Sequence, residues 1–320
     1  MGPVPSIMRQ RPTIVFLALS VPLAALLAMV GCAGEPAADG WIHCELRTED
    51  TGVRMYWVTE TGDLDLTLLV STQGIGLAEL LFGLFVDGRQ WPATWDGRQA
   101  MVFVASLQPN SSREIQFCVR GLPHGVHALY LLSAVLPGCD RGLTEDQIMS
   151  NASPIDMNPF TVESRSPVEA SLDQVALASQ GPAMDVLQAV DQDGVLCVDP
   201  NTLAIDPSFD LRDRQTLFYV WRNKSDKRVQ ARFVLLVDWI QTPWPNQNTA
   251  ALEVEAQPNE VVVEEIGLSS LPIGDTSYVA VLAFMQPLRP FWLLDDSGHT
   301  YADPEGGQAL GSNYVVVLGR

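Results

Sequence analysis

The sequence predicts an all-β protein in which two tandem β-sandwiches follow an N-terminal export signal. Three observations predict this architecture: an apolar leader that ends at a cysteine, an ordered set of repeated landmarks, and short apolar segments separated by turn residues. We divide the chain at the points where these patterns change. The parts are a signal peptide (1–32), a tether (33–40), copy one (41–165), a linker (166–193) and copy two (194–320).

The leader has the parts of a secretory signal. Arg9 and Arg11 precede an uncharged apolar run over residues 14–30, and the small residue Gly31 follows it. That run is at the lower limit for crossing a bilayer, so an uncleaved transmembrane anchor is the lesser alternative. Translation from Met1 and translation from Met8 are both compatible with this leader.

The end of the leader, Met29-Val30-Gly31-Cys32, resembles a bacterial lipobox, although leucine is more usual where Met29 stands. The resemblance implies that Cys32 is lipidated and becomes the mature N-terminus. Because diacylglycerol supplies two acyl chains, the anchor would be stable. We therefore expect a lipid-anchored protein of the cell envelope, on the outer face of the cytoplasmic membrane or at the cell surface, with the membrane as its partner.

The charge of the chain excludes one class of partner. It has 38 acidic and 19 basic residues, and two of the basic residues, Arg9 and Arg11, lie in the leader. The exported part is therefore strongly acidic, and nothing in it would neutralise a phosphate backbone. We predict no nucleic-acid partner, whereas solubility outside the cell and cation binding both remain compatible with this charge.

The chain repeats itself with a spacing of about 150 residues. Asp87 and Asp238 occupy corresponding places, as do the prolines of two Gln-Pro-Asn sequences and the glycines of two Leu-Pro-x-Gly turns. The matched pairs are Asp87 and Asp238, Pro92 and Pro243, Pro109 and Pro258, Pro123 and Pro272, Gly125 and Gly274, and Cys44 and Cys197, and residues 158–165 correspond to residues 313–320. Ordered landmarks with preserved spacing indicate a duplicated module.

Each copy has the pattern of an immunoglobulin-like β-sandwich, with about seven short strands separated by Gly, Pro, Asn and Asp turns. Residues 53–59 and 64–71 flank Glu60-Thr61-Gly62-Asp63, which predicts a hairpin. Residues 232–239 form a continuous apolar run of strand length. The turn at 121–125 is predicted to join the strand around Phe117 to the strand around Leu129.

The order of strands and turns resembles the bacterial cell-adhesion-related (CARDB-like) immunoglobulin-like domains. The resemblance rests on apolar strands that end in Val-Asp, a Pro-Asn turn and a Leu-Pro-x-Gly turn. The residues that carry it are Val86, Asp87, Gly88, Pro109, Leu122 and Gly125 in copy one, and Asn223, Val237, Asp238, Pro258, Leu271 and Gly274 in copy two. Copy two departs at Trp239, where glycine is usual. The resemblance implies a fold found in surface proteins and specifies no ligand.

Four cysteines remain beyond Cys32, and an even number in an exported protein permits two disulfides. These are Cys44, Cys118, Cys139 and Cys197, which allow three connectivities, and free thiols are the alternative. Zinc is not favoured, because no Cys-x-x-Cys sequence is present. His124 and His127 form a His-x-x-His pair, which could chelate a metal ion on a helix. Here the pair spans a turn before a strand, and copy two lacks it, so a metal site is not favoured.

Binding residues are predicted in loops near the end of copy two. Tryptophan rings beside carboxylates can stack on sugars or on apolar groups, so we predict ligand contact by Trp244, Phe291, Trp292, Asp295 and Asp296. The alternative is that the tryptophans cap the core. No cofactor is predicted, but calcium suits acidic loops, and its candidate ligands are Asp191, Asp193 and Asp199. Solvated acidic turns are the alternative there.

The sequence has no nucleophile elbow, phosphate loop or zincin motif, so no catalytic residue is assigned. The leading functional hypothesis is a non-enzymatic surface lipoprotein that binds an envelope glycan or protein, or acts as a structural module. A second hypothesis is an envelope or polysaccharide hydrolase with its site between the two sandwiches. A transporter's solute-binding lipoprotein is disfavoured, because such proteins usually alternate strands and helices.

Overall fold

The structure, a computed structural model, is almost entirely β in the residues it describes. These residues are 41–48, 52–53, 55–73, 78–108, 110–136, 155–168, 176–177, 194–245, 247, 249–295 and 297–319. The signal peptide, the tether, the lipidation candidate Cys32 and the translation starts lie outside this part of the chain. In the described part, no helix is both long enough and apolar enough to cross a membrane.

Copy one contains two antiparallel-rich sheets. Sheet 1 has the strand order β2-β1-β4-β10-β7-β8, and sheet 2 has the order β3-β12-β11-β5-β6, with β9 also paired to β5. The strands are β1 (Trp41–Thr48), β2 (Gly52–Val53), β3 (Tyr56–Thr59), β4 (Leu64–Gln73), β5 (Ala78–Val86), β6 (Arg89–Trp91), β7 (Ala93–Trp95), β8 (Arg98–Ala100), β9 (Val102–Leu107), β10 (Ser112–Val119), β11 (Gly125–Val135) and β12 (Ile155–Ser164).

Copy two is built in the same way. Sheet 3 has the order β13-β19-β17-β21-β25-β15, with β18 on β17 and β24 on β21, and sheet 4 has the order β14-β16-β20. The strands are β13 (Ala176–Leu177), β14 (Val195–Cys197), β15 (Ser208–Asp210), β16 (Thr216–Arg222), β17 (Val229–Val237), β18 (Ile240–Thr242), β19 (Leu252–Ala256), β20 (Val261–Gly267), β21 (Ser277–Met285), β22 (Trp292–Leu294), β23 (Thr300–Ala302), β24 (Gln308–Gly311) and β25 (Val315–Leu318).

The four sheets stack as four layers with three apolar cores between them. Side chains of sheets 1 and 2 enclose the core of copy one, including Phe82, Trp95 and Phe117. Sheets 3 and 4 enclose the core of copy two, including Trp221 and Phe233. The third core lies between sheets 2 and 3 and takes side chains from both copies. Each of these two sheets is therefore covered on both faces.

This double coverage explains the unbroken apolar runs of the inner strands. A strand with one solvated face alternates apolar and polar residues, whereas a strand buried on both faces does not. In β17, Phe233 and Leu235 point into the core of copy two, while Val234 and Leu236 point towards copy one, and all four are 0% exposed.

The predicted internal repeat is present in the hydrogen bonding of the two copies. Asp87 and Asp238 each follow the end of an inner strand with a left-handed backbone, at φ 52° and 51°. The Asp87 carboxylate accepts from the Ala128 backbone N–H at 2.9 Å, and the Asp238 carboxylate accepts from the Tyr278 N–H at the same distance. Equivalent carboxylates thus hold equivalent turns by the same hydrogen bond.

Other landmarks differ in how they align. Pro109 lies outside the described residues, but the residues after it and after Pro258, Asn110 and Asn259, both have positive φ. The match of Cys44 with Cys197 is wrong. Although β1 and β14 are equivalent strands, Cys44 pairs with Val70 and packs against the copy-one core, whereas Cys197 pairs with Phe218 and lies in the small cluster on the other face of sheet 4.

One local prediction is also corrected. The predicted hairpin across Glu60-Thr61-Gly62-Asp63 does not form, because β4 joins sheet 1 while β3 pairs in parallel with β12 in sheet 2. The turn at 121–125 does join β10 to β11, as predicted. From the predicted linker, Ala176–Leu177 pairs with β19, so residues before copy two extend sheet 3.

Candidate functional site

The structure does not bring the predicted binding residues together as one exposed site. Trp244 is only 2% exposed and lies in the core of copy two. Its indole N–H donates a hydrogen bond to the Phe233 carbonyl oxygen at 3.1 Å. The ligand-contact role predicted for Trp244 is therefore corrected to a core role, because both the ring face and the polar atom of this side chain are already used.

Phe291 and Trp292 begin a two-stranded hairpin, β22–β23, that leaves copy two and packs on copy one. The Trp292 backbone N–H donates to the Thr161 hydroxyl at 3.2 Å, and its indole N–H donates to the Pro159 carbonyl at 3.0 Å. Phe291 packs edge-on against Trp292, with 5.2 Å between the ring centroids. Both rings are half-buried, so they hold the hairpin against β12.

Asp295 organises the tip of this hairpin. Its Oδ1 accepts hydrogen bonds from the His299 backbone N–H at 2.8 Å and from the backbone N–H and hydroxyl of Ser297 at 2.9 and 2.8 Å. The bond from His299, then those from Ser297, lower the pKa of Asp295. The carboxylate therefore stays ionised and closes its own turn. Asp296 lies outside the described residues.

The hairpin also carries two exposed side chains, on opposite faces, that sequence reasoning missed. Tyr301 is 47% exposed and Leu294 is 40% exposed. Tyr301 pairs across the hairpin with Leu293. The sequence held a signal for this element, because Asp-Asp-Ser-Gly between two short apolar segments is typical of a hairpin turn.

Asp199, the described calcium candidate, uses its carboxylate for hydrogen bonds within its own turn. The Asp199 carboxylate accepts hydrogen bonds from the Asn201 backbone N–H and the Thr202 hydroxyl, both at 2.9 Å, and these contacts lower its pKa. Asp191 and Asp193 lie outside the described residues. In the part of the chain that the structure describes, no three His, Cys, Asp or Glu side chains are grouped so that they could hold a metal ion.

Cys118 and Cys197 are free thiols, so the four cysteines do not form two disulfides. Cys44 is half-buried in β1, and Cys139 lies outside the described residues. Burial raises the pKa of Cys197 to about 11. Burial and then the hydrogen bond to Asp65 raise the pKa of Cys118. Both thiols therefore stay protonated at neutral pH, which makes them poor nucleophiles.

Paired polar side chains connect the two copies at their junction. The Gln90 backbone N–H donates to the Gln241 side-chain oxygen at 2.7 Å, and the Gln241 N–H donates to the Gln90 side-chain oxygen at the same distance. The two glutamines are 151 residues apart, as are Asp87 and Asp238. The contact is thus made by equivalent residues acting on each other, as in a two-fold interface.

The interior of this junction is apolar. Phe284 of copy two packs against Phe85 and Tyr130 of copy one, with ring centroids 5.4 and 5.3 Å apart. Trp239 of copy two is 5% exposed and belongs to the same core. Gln90 donates from its side-chain amide to the Trp239 carbonyl at 2.9 Å. Sequence reasoning missed the junction, although the matching positions of the two glutamines were a signal for it.

A second polar contact crosses the junction at the edge of the apolar core. The Arg232 guanidinium of copy two donates to the Asp87 backbone carbonyl of copy one. It also donates to Glu253 at 2.6 Å, and both side chains of this ion pair are less than a fifth exposed. The junction therefore combines an apolar centre with paired polar groups, as in a stable protein interface.

Together, fold and junction define an all-β protein whose two immunoglobulin-like sandwiches form one four-layer body. No protein-family model matches the chain, and no curated protein matches it. A CARDB domain from Pyrococcus furiosus, described as a complex with di-metal ions, is similar at 12% identity and a TM-score of 0.23 over 41% of this chain and 96% of that domain.

Two bacterial chaperones are also similar in structure. The Pseudomonas aeruginosa CupB2 chaperone has 13% identity and a TM-score of 0.21, over 82% of this chain and 98% of its own. The Escherichia coli chaperone DraB has 11% identity and a TM-score of 0.24, over 85% of this chain and 98% of its own.

Proposed function

We propose that this chain is a lipid-anchored protein of the cell envelope whose two sandwiches act as one rigid, non-enzymatic structural or binding module. The observation that carries the proposal is the shared apolar core between sheets 2 and 3. Flexibly linked domains usually meet through smaller and more polar interfaces. A continuous core with reciprocal Gln90–Gln241 bonds favours a body that moves as a unit.

The same core weighs against the alternative of a hydrolase with its site between the copies. A catalytic site needs a concave, accessible space with polar groups that converge on a substrate. The junction instead contains residues such as Phe85, Leu236, Leu282 and Phe284, each 3% exposed or less. The polar side chains of Gln90 and Gln241 hydrogen-bond to each other's copy across the junction.

The anchoring part of the proposal rests on the leader and on Cys32. Eight residues separate Cys32 from β1, so an acylated cysteine would hold sheet 1 close to the membrane. The outer face of the cytoplasmic membrane or the cell surface is the location this arrangement supports. A glycan or protein of the envelope is the partner proposed, and calcium is the ion proposed for any acidic loop outside the described residues.

Within the module, the β22–β23 hairpin is the element best suited to ligand contact. Tyr301 presents an exposed ring on one face of the hairpin, and Leu294, which precedes Asp295 in the chain, presents an exposed apolar side chain on the other. Aromatic and apolar groups next to an acceptor can contact a sugar or an apolar protein surface. Trp292 supports the hairpin through its hydrogen bonds to copy one rather than by presenting its ring.

Lipidation and binding are tested separately. Cys32→Ser should leave the protein unprocessed or released, and unchanged processing with full membrane retention would reject the anchor. For binding, full-length protein is incubated with purified envelope glycans and envelope proteins. We expect retention to fall at least tenfold in Tyr301→Ala and to stay within twofold in Val104→Ala, an exposed residue on β9. Substrate turnover without stable binding would favour the hydrolase alternative.

A further inference from the structure

A buried histidine, His127 of β11, lies in copy one beside the Asp87 turn, and the proposed function does not use it. The Nδ1 atom of His127 is 2.7 Å from the Asp87 carboxylate, and its Nε2 atom is 2.9 Å from the Pro123 carbonyl oxygen. The imidazole is only 7% exposed. A carbonyl and a carboxylate both accept hydrogen bonds, so both contacts form only when both ring nitrogens carry protons.

The repeat supplies an internal comparison. In copy two, Ser277 stands where copy one has His127, and its hydroxyl donates to the Asp238 carboxylate at 3.0 Å. The same hydroxyl accepts from the Gly274 backbone N–H at 2.9 Å. A neutral hydroxyl donates and accepts at the same time, so these hydrogen bonds in copy two need no charged group. The corresponding contacts in copy one depend on an imidazole that can gain or lose a proton.

The Asp87 turn also connects His127 to copy two. Its backbone carbonyl accepts from Arg232, whose guanidinium is paired with Glu253 on β19. The next residue, Gly88, lies directly against copy two, since a Cβ atom placed there would be 3.1 Å from the Arg232 side chain. Displacement of the Asp87 turn would therefore reach copy two.

The charged groups around the imidazole favour its cationic form. Burial disfavours that form, but the hydrogen bond and charge of Asp87 and the bond to the Pro123 carbonyl outweigh burial and raise the pKa of His127 above 6.5. On the adjoining strand β12, Glu163 is paired with Arg165 and lies on the opposite face of the sheet from His127, because it is the cross-strand partner of Val126. Tyr130, on the same strand as His127, has a buried hydroxyl with no hydrogen-bond partner.

We propose that His127 is a pH-sensitive latch for the junction between the copies. When protonated, it joins the Pro123 loop to the Asp87 turn and, through that turn, to Arg232. When the imidazole loses a proton, one ring nitrogen has no hydrogen to donate to the acceptor that faces it, and that contact opens. Since the pKa is raised on folding, this stabilisation is complete below pH 6.5 and is lost as the pH rises through the folded value.

The first test follows the proton itself in the full chain, purified in detergent micelles. The protein has four histidines, so NMR of histidine-labelled protein resolves each titration, and His127→Ser assigns the resonance. We expect His127 to titrate above 6.5 and the protection factors for hydrogen exchange at residues 121–128, which correct for the intrinsic pH dependence of exchange, to fall across the same range. Titration at or below 6.5, or exchange that does not follow the titration, would overturn the latch.

The second test measures coupling between the copies. Unfolding equilibria of the wild type, His127→Ser, Arg232→Gln and the double variant form a cycle at pH 6 and pH 9. We expect about a tenfold coupling at pH 6 and less than twofold at pH 9. His124→Ser is the matched control and should leave the pH dependence unchanged. Equal coupling at both pH values would show that the contact is structural only.

Discussion

At the scale of single residues, the two Asp turns share one backbone conformation although a different residue follows the aspartate in each copy. Both residues of each turn have positive φ: Asp87 and Gly88 in copy one, Asp238 and Trp239 in copy two. Aspartate tolerates this region, and glycine adopts it without strain, but tryptophan does not. Trp239 is held there by burial in the shared core, where its ring stacks on Tyr278.

Gly88 offers a test of how tightly the copies meet. Its φ is +73°, and a Cβ atom there would be 3.1 Å from Arg232 and 3.2 Å from Phe284 of copy two. We expect Gly88→Ala to lower the free energy of unfolding by about 2–4 kcal/mol, combining backbone strain with overpacking.

Gly97→Ala is the matched control for that substitution. Gly97 has φ +81° and open space around the same position, so only the backbone cost of about 1–2 kcal/mol applies. Urea unfolding of both variants measures the difference. Equal destabilisation by the two substitutions would show that a Cβ atom at Gly88 fits without overpacking, and that the two copies are less closely packed there than the distances indicate.

Trp244 carries a prediction about the core. Because the side chain is 2% exposed and its indole N–H is bonded to Phe233, we expect Trp244→Ala to cost about 3–5 kcal/mol of stability. Tyr301→Ala, at a 47% exposed ring, should change stability by less than about 0.5 kcal/mol. A small loss in the tryptophan variant would return Trp244 to the set of ligand-contact candidates.

At the scale of elements, sequence patterns predicted the strands but not what covers them. The aspartates could be matched because their carboxylates cap a turn in both copies, so the residue type was retained by a local need. A core tryptophan and a binding tryptophan have the same sequence signal, and burial separates them only after the loops are placed. Trp244 was assigned wrongly for this reason.

Pairing between distant strands was the other feature that local patterns could not predict. The predicted hairpin before β4 failed because β3 pairs with β12, about a hundred residues later in the chain. Likewise, the apolar run of β17 predicted a strand, but it did not show that the second face of this strand is covered by the other copy of the module. Neither fact is present in any short window of residues.

The β22–β23 hairpin yields a prediction about its own anchoring. Thr161 is 0% exposed and its hydroxyl accepts the Trp292 backbone N–H. Thr161→Val conserves shape but removes the acceptor, which should cost about 1–3 kcal/mol locally. We expect hydrogen exchange at residues 292–302 to accelerate by tenfold or more.

The control for Thr161→Val is Thr67→Val. Thr67 donates to Gln116 on the exposed face of sheet 1, far from the hairpin in the strand order. Exchange in the hairpin should be unchanged in this variant. If Thr161→Val also leaves hairpin exchange unchanged, the hydrogen bond between the copies does not hold the element in place.

At the scale of the whole molecule, the duplication produces a body with three cores. A single sandwich would leave the second face of sheet 2 or sheet 3 open to water, with residues such as Phe85, Leu132, Val234 and Phe284 exposed. Apolar patches of that kind are normally covered in soluble proteins. Each copy therefore covers the apolar face that the other would expose to water. We expect the stability of each copy to depend on the presence of the other.

That interdependence leads to the last prediction, which concerns cooperativity. Phe233 lies in the core of copy two, is 0% exposed and packs on Tyr219 and Trp221 of the same copy. Phe233→Ala should cost about 3–5 kcal/mol. If the shared core makes the chain unfold as one unit, this loss must also appear in copy one, so hydrogen exchange at β4 should accelerate by the same factor as at β16. Val104→Ala, at a 45% exposed side chain, is the control and should change neither. Acceleration at β16 with unchanged exchange at β4 would mean that the copies unfold separately, and the rigid four-layer module would have to be abandoned.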